Sequence, residues 1–225
     1  MSTSFNYTQE IMEEKYKSEI GFWKKELSNF EKWANGEIDL YNIPFPSTFK
    51  KQELSPQELW TIIFQQPHYL KSLQVSEGVF KHKKILEVGC GPVSGVGVFK
   101  NAIVYGIDPL MNDYYDIGYR FPQDENFTIF ACRAEELTNI FPKNFFDVVI
   151  SVNAIDHVDD IEKTSSEINK VVKSDCLFAM NIEYHIPRIC EPIVLNNKRV
   201  EKIFNWVPSL RKIEQIDNKV IWRNF

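Results

Sequence analysis

The chain has 225 residues, 44% of them hydrophobic and 14% aromatic, enough for one substantial core with a small cap but not for two full domains. A net charge of −5 with scattered Lys and Arg offers no basic face for nucleic acid. Cys90, Cys132, Cys176 and Cys190 stand far apart with no CxxC pair, which points to reduced thiols rather than a zinc site or a disulfide framework.

The stretch from Met1 to Asn6 is polar, and no apolar run reaches membrane-span length, so a soluble cytoplasmic protein without a membrane partner is expected. Met12, Tyr16, Ile20, Trp23, Leu27 and Phe30 recur at three- and four-residue steps, which predicts an amphipathic helix that stops near Gly36. A Pro-containing connection, Ile43 to Ser47, follows. Ser55-Pro56-Gln57-Glu58 then reads as a helix start, with Ser as cap, Pro at the first position and Glu closing a capping box. That helix carries Leu59, Trp60, Ile62, Ile63 and Phe64 and is interrupted at Gln66-Pro67. Residues 1–82 are thus expected to form a helical cap on the domain 83–225. Aromatic residues such as Trp60, Phe64, Tyr69, Tyr114 and Tyr115 suit either core or lid.

From Lys83 the pattern becomes strands alternating with helices, which predicts a parallel sheet. Strands are expected over 84–89, 103–107, 127–131, 146–152 and 176–182. The best helix between them runs from Asp156 to Val172. The connection from Gly91 to Ile103 is short, so a first crossover helix of only two turns is expected. Lys212 to Ile216 and Lys219 to Trp222, joined by Asp217-Asn218, read as a closing antiparallel hairpin.

Two segments carry chemistry. Ile85-Leu86-Glu87-Val88-Gly89-Cys90-Gly91 is an apolar strand running into a glycine turn, where Gly89 and Gly91 allow positive φ and a ligand against bare backbone. Ile103 to Asp108 is a second apolar strand ending in an acid, the position from which an acid bonds ribose hydroxyls in doubly wound nucleotide folds.

On these segments the chain resembles the class I S-adenosylmethionine-dependent methyltransferases over roughly 83–225. Glu87 to Gly91 resembles the family's first motif and Tyr105 to Leu110 its second. Ala134-Glu135-Glu136-Leu137 resembles the adenine-side loop, and Phe146 to Asn153 the fourth strand. The resemblance implies a doubly wound, seven-stranded mixed α/β sheet and S-adenosylmethionine as cofactor. It implies Glu87 near the cofactor's ammonium, the backbone of Gly89, Cys90 and Gly91 against its methionine half, and Asp108 on the ribose. Pro109, Leu110 and Ala134 would flank the adenine, and Asn153 would lie under the methionine portion. Arg133 replaces the acid common in relatives, so the adenine contact there comes from backbone or from Glu135. Lys173-Ser174-Asp175-Cys176 replaces a common Pro-Gly-Gly turn.

For the acceptor, His157 is the candidate base, oriented by Asp156 or Asp159; in the alternative Asp156 only caps the helix. His185, Arg188 and Glu191, after the fifth strand, suit a polar acceptor or are surface-loop residues. No ligand spacing supports a metal. The expected activity is methyl transfer to a small-molecule or carbohydrate-like acceptor, at oxygen. Two other classes share these features: a nicotinamide-dependent oxidoreductase, although Ser94 occupies the third glycine's place, and a non-catalytic cofactor-binding protein.

Overall fold

Neighbouring residues Ile85 and Leu86 set the architecture. Ile85 clusters with Tyr69, Leu73 and Phe80, whereas Leu86 clusters with Phe146, Ile161 and Ile168, and both are fully buried. A strand covered on both faces has no need of polar alternation, which explains its unbroken apolar run. The computed structural model describes residues 9–46, 54–121 and 126–225, so Ser47 and the polar first residues lie outside what is described.

The sheet comprises β1 (Lys84–Val88), β2 (Ile103–Asp108), β3 (Phe127–Ala131), β4 (Phe146–Val152), β5 (Val172–Glu183), β6 (Arg211–Ile216) and β7 (Lys219–Arg223). Its order is β3-β2-β1-β4-β5-β7-β6, all parallel except β7, which is antiparallel to both neighbours. The expected closing hairpin is present, turned by Asp217 at φ +54°. This is the doubly wound, seven-stranded mixed sheet expected from the sequence, with its strand order reversing between β1 and β4. Ligands of such sheets bind outside the carboxyl ends of the strands at that reversal.

Among the described residues three α-helices precede the sheet, α1 (Gln9–Ala34), α2 (Pro56–Trp60) and α3 (Gln66–Leu73), and α4 (Met111–Asp116) follows β2. Phe30 and Trp33 of α1 are buried against Trp60, which stacks on Phe30 and Phe64. The Ser55 capping box forms as expected: Ser55 Oγ accepts from Glu58 N, and Glu58 accepts from Ser55 N at 2.7 Å. The interruption at Gln66-Pro67 takes a specific form. Thr61–Gln65 widens into a π turn and Pro67 then opens α3, because a proline ring collides with the carbonyl one turn back and offers no N–H. Among the described residues no helix is long and apolar enough to cross a membrane.

Three expectations need correction. The helix expected from Asp156 divides into a 3₁₀ turn, Ile155–His157, and α5 (Ile161–Val171), whose N-cap is Asp160 accepting from Lys163 N at 2.8 Å. Asp156 is therefore not the cap. β5 begins at Val172 rather than 176, directly from the end of α5, since no Gly or Pro interrupts Lys173 to Cys176 and Lys173 Nζ is held by Asp147 at 2.6 Å. The first crossover contains only a 3₁₀ turn, Val96–Val98, with α3 packed over it.

Removing the true cap should register as stability. Asp160→Ala should cost about 1 kcal/mol in urea unfolding, the ordinary worth of an N-cap; an unchanged midpoint would return the helix start to Asp156.

Candidate active site

At the carboxyl edge of the sheet the residues after β1, β2 and β4 border one cavity of about 490 Å³, roofed by α1 and the α2–α3 segment. The glycine turn is shaped first by the protein's own packing. Gly89 has φ +71° and Gly91 φ +55°. A Cβ on Gly89 would stand 2.4 Å from Ala154 Cβ, so this glycine is required by the loop after β4, whereas the sequence reading attributed the restriction to a ligand. Gly91 is restricted by its dihedral, since a Cβ there would meet only Trp23 at 3.7 Å.

Asp108 ties this turn to the next. Its Oδ2 accepts from Gly91 N at 3.1 Å and its Oδ1 from Leu110 N at 2.9 Å. Each oxygen keeps capacity to accept from a further donor, and Asp108 lines the cavity. Burial pushes the carboxyl up to about 6 against the pull of those two amides. Cys90, Pro109 and Leu110 line the cavity next to it, as do Ala134 and Asn153, the latter at φ +52°. All these expected cofactor positions come together around one space.

Glu87 does not join them on the cavity wall. Its carboxylate is wholly buried, with Oε1 accepting from Tyr69 Oη at 2.6 Å and Oε2 from Ser94 Oγ at 2.7 Å. It thereby pins α3 to the first crossover. Burial raises its pKa to about 7, although both hydroxyl donors favour the anion. Contact with a cofactor ammonium would have to pass through intervening groups, because the strand turns the side chain into the sheet's α3 face.

Arg133 and Glu135 line the cavity but are committed to the protein. Glu135 Oε1 accepts from the amides of Asp159 and Asp160 at 2.8 and 3.0 Å. Arg133 Nη2 donates to Asp159 Oδ2 at 2.6 Å. Asp159 also receives Lys15 Nζ at 2.7 Å, and the same ammonium donates to the carbonyl of His157. So Asp159 fastens α1 to the loop after β4 and does not orient His157.

The acceptor candidates regroup as well. His157 lines the cavity, and its Nε2 has no hydrogen-bond partner among the described residues. The carboxylate nearest that nitrogen is Glu191, Oε1 at 3.6 Å, not Asp156. Asp156 is buried and its Oδ2 meets His185 Nε2 at 2.9 Å, while His185 Nδ1 meets the carbonyl of Ile186 at 2.7 Å. Both ring nitrogens of His185 face acceptors. Burial opposes charge there, yet the Ile186 carbonyl, Asp156 and Glu191 together raise its pKa. Arg188 donates to Glu191 at 2.7 Å. Asp156, His185 and Arg188 lie off the cavity wall, and they join the loops after β4 and β5 into one polar network.

Sequence reasoning missed the contribution of α1. Lys15, Tyr16, Glu19 and Trp23 all line the cavity, with Trp23 Nε1 donating to Glu19 at 2.9 Å. The only sequence signal was charge and polarity interleaved with the apolar stripe. Phe64 and Tyr69 also line it, whereas Trp60 is core and Tyr115 is exposed.

Residues 86–180 match the family model described as a methyltransferase domain. Residues 86–180 form a class I S-adenosylmethionine-dependent methyltransferase domain, whose cofactor is S-adenosylmethionine. The chain is 28% identical to the sterol 24-C-methyltransferase of Aspergillus fumigatus over 156 residues, covering 66% of this chain and 40% of that protein. It is 26% identical to the cycloartenol-C-24-methyltransferase of Arabidopsis thaliana over 188 residues, covering 76% of this chain and 54% of that one. The chain thus spans about half or less of these relatives' length. The fold is shared with phosphoethanolamine N-methyltransferase 2 of Haemonchus contortus, solved with S-adenosyl-L-methionine, at a TM-score of 0.51 and 19% identity over 67% of this chain and 38% of that one. Both relatives are named for transfer to carbon, so the expected oxygen attack on a carbohydrate-like acceptor finds no support among them. The nicotinamide alternative also loses ground: with only a 3₁₀ turn after Gly91, the chain has no α-helix amino terminus there for a pyrophosphate.

Glu87 generates a stability test. Its native pKa of about 7 exceeds the ordinary 4.5. The native state therefore holds an extra proton between those values, and stability falls as pH rises through them. In Glu87→Gln that part of the fall should vanish from melting temperatures measured between pH 4.5 and 8; an unaltered pH slope would contradict the assigned burial cost.

Proposed function

We propose that this chain transfers the methyl group of S-adenosylmethionine to a small lipophilic acceptor, with carbon the favoured atom of attack. The observation that carries the reading is the apolar rim of the cavity. Phe22 and Tyr41 line it while 48% and 55% exposed, beside Trp23 and Phe64. Large aromatics left open to water at a cavity mouth suit an apolar guest, whose binding would remove that surface from solvent. The carbon-transferring curated relatives agree with it.

In this reading Asp108 takes the ribose hydroxyls, each charge-assisted bond contributing about 1.5–3 kcal/mol before desolvation. Leu110, Pro109 and Ala134 hold the adenine between apolar faces, and the glycine turn with Cys90 and Asn153 lies against the methionine half. Bound there, the cofactor supplies an electrophilic methyl on a sulfonium, and the protein's task is alignment. A neutral acceptor that gains a methyl cation must lose a proton. His157 lines the cavity, and its buried Nε2, without a hydrogen-bond partner among the described residues and 3.6 Å from Glu191, is the base that takes it in this reading, while Arg188 steadies that carboxylate.

Methyl-labelled S-adenosylmethionine tests this directly with a panel of lipophilic alkenes, cycloartenol and an unsaturated fatty acid among them, and with sugars as controls. Label should appear in solvent-extractable product. Asp108→Asn should bind S-adenosylhomocysteine at least about tenfold more weakly, whereas His157→Gln should keep that affinity and lose about a hundredfold in turnover. Label confined to sugars would overturn the acceptor class, and full turnover in His157→Gln would remove the base.

A further inference from the structure

The cavity runs along the sheet edge from Asp108, at the end of β2, to Lys219, at the start of β7. Between those strands lie β1, β4 and β5, so the two residues are four strand steps apart, about 19 Å at ordinary spacing. A cofactor whose ribose rests on Asp108 and whose methionine half meets the glycine turn ends over β1 and β4. The β5–β7 end is left for the acceptor.

Charge is unevenly distributed along this path. Lys15, Arg133 and Lys219 are the lysines and arginines on the cavity wall among the described residues. Lys15 and Arg133 are both committed to Asp159. Lys219 makes no ion pair among the described residues. Its cross-strand acid, Glu183, accepts instead from Asn218 at 2.9 Å and lies 3.8 Å from Arg188. Nearby His68 stacks on Phe64, and burial together with the charges of Lys219 and Lys71 lowers its pKa, so it is neutral at pH 7. Gln65 and Asn153 also line the cavity. Lys219 is solvent-exposed, so its ammonium is free to pair with an anion that enters the cavity.

We propose that the acceptor carries an anionic head, a carboxylate or a phosphate, which pairs with Lys219 at the β5–β7 end while its apolar body lies along Phe64 towards the glycine turn. The inference rests on the lipophilic reading above and narrows it to acidic amphiphiles. Gln65 supplies a neutral donor to the same head.

Calorimetry on the protein saturated with S-adenosylhomocysteine tests it, with decanoate, decyl phosphate and decan-1-ol as probes. The two anions should bind about tenfold or more tightly than the alcohol, and less tightly as salt is raised. Lys219→Met should bring the anions down to the level of the alcohol, with an unchanged melting temperature as the check on folding. Equal binding of alcohol and anions, or anions unaffected by Lys219→Met, overturns the anionic head while leaving the lipophilic acceptor standing. Loss of S-adenosylhomocysteine affinity in that variant would place Lys219 on the cofactor and overturns it too. Binding of none of the three probes overturns both readings together.

Discussion

Two backbone amides donating into one buried carboxylate organise this molecule. Asp108 ends β2, and by accepting from Gly91 and from Leu110 it fixes the loops after β1 and β2 relative to each other. Neither loop opens a long helix of its own: the first crossover holds a 3₁₀ turn, and the second leads into a short helix at Met111. The same carboxylate that would receive the ribose is thus part of the scaffold. Its cost is burial of a charge, visible in the raised pKa, and its return is a cavity edge already shaped for a nucleoside.

A second layer of buried polar contacts closes the cavity from above. Glu87 takes hydroxyls from Tyr69 and Ser94, joining α3 to the glycine turn. Asp159 takes Lys15 and Arg133, joining α1 to the loop after β4. Breaking either by removing one partner would strand a buried charge, which costs more than the contact itself contributes. The cap is therefore held by ionic links at its rim and by the aromatic cluster of Phe30, Trp33 and Trp60 behind it.

Much of this was legible in the sequence where local chemistry and global fold agree. The apolar strands at Ile85 and Ile103, the capping box at Ser55 and the hairpin around Asp217 each form where their residues demand. The site positions at Gly89, Gly91, Asp108 and Leu110 converge because a single edge of a parallel sheet gathers the residues that follow its strands. What could not be read depends on partners distant in sequence. Asp156 and Asp160 look alike as helix caps; only the packing of the loops after β4 and β5 sends Asp156 to His185 and leaves Asp160 to cap α5. Glu135 beside Ala134 looks like an adenine contact, yet the amides of Asp159 and Asp160 claim it. The role of Lys15 depends on a pairing 144 positions away that no local pattern announces.

The central claim is that an adenosyl group lies across the turn at Gly89 to Gly91 with its ribose on Asp108. A crystal structure with S-adenosylhomocysteine tests it most directly. The account predicts both ribose hydroxyls within hydrogen-bond distance of the Asp108 carboxylate, the adenine between Leu110 and Ala134, and the sulfur directed towards Phe64 and His157. A nucleoside bound elsewhere, or a ribose turned away from Asp108, would contradict it.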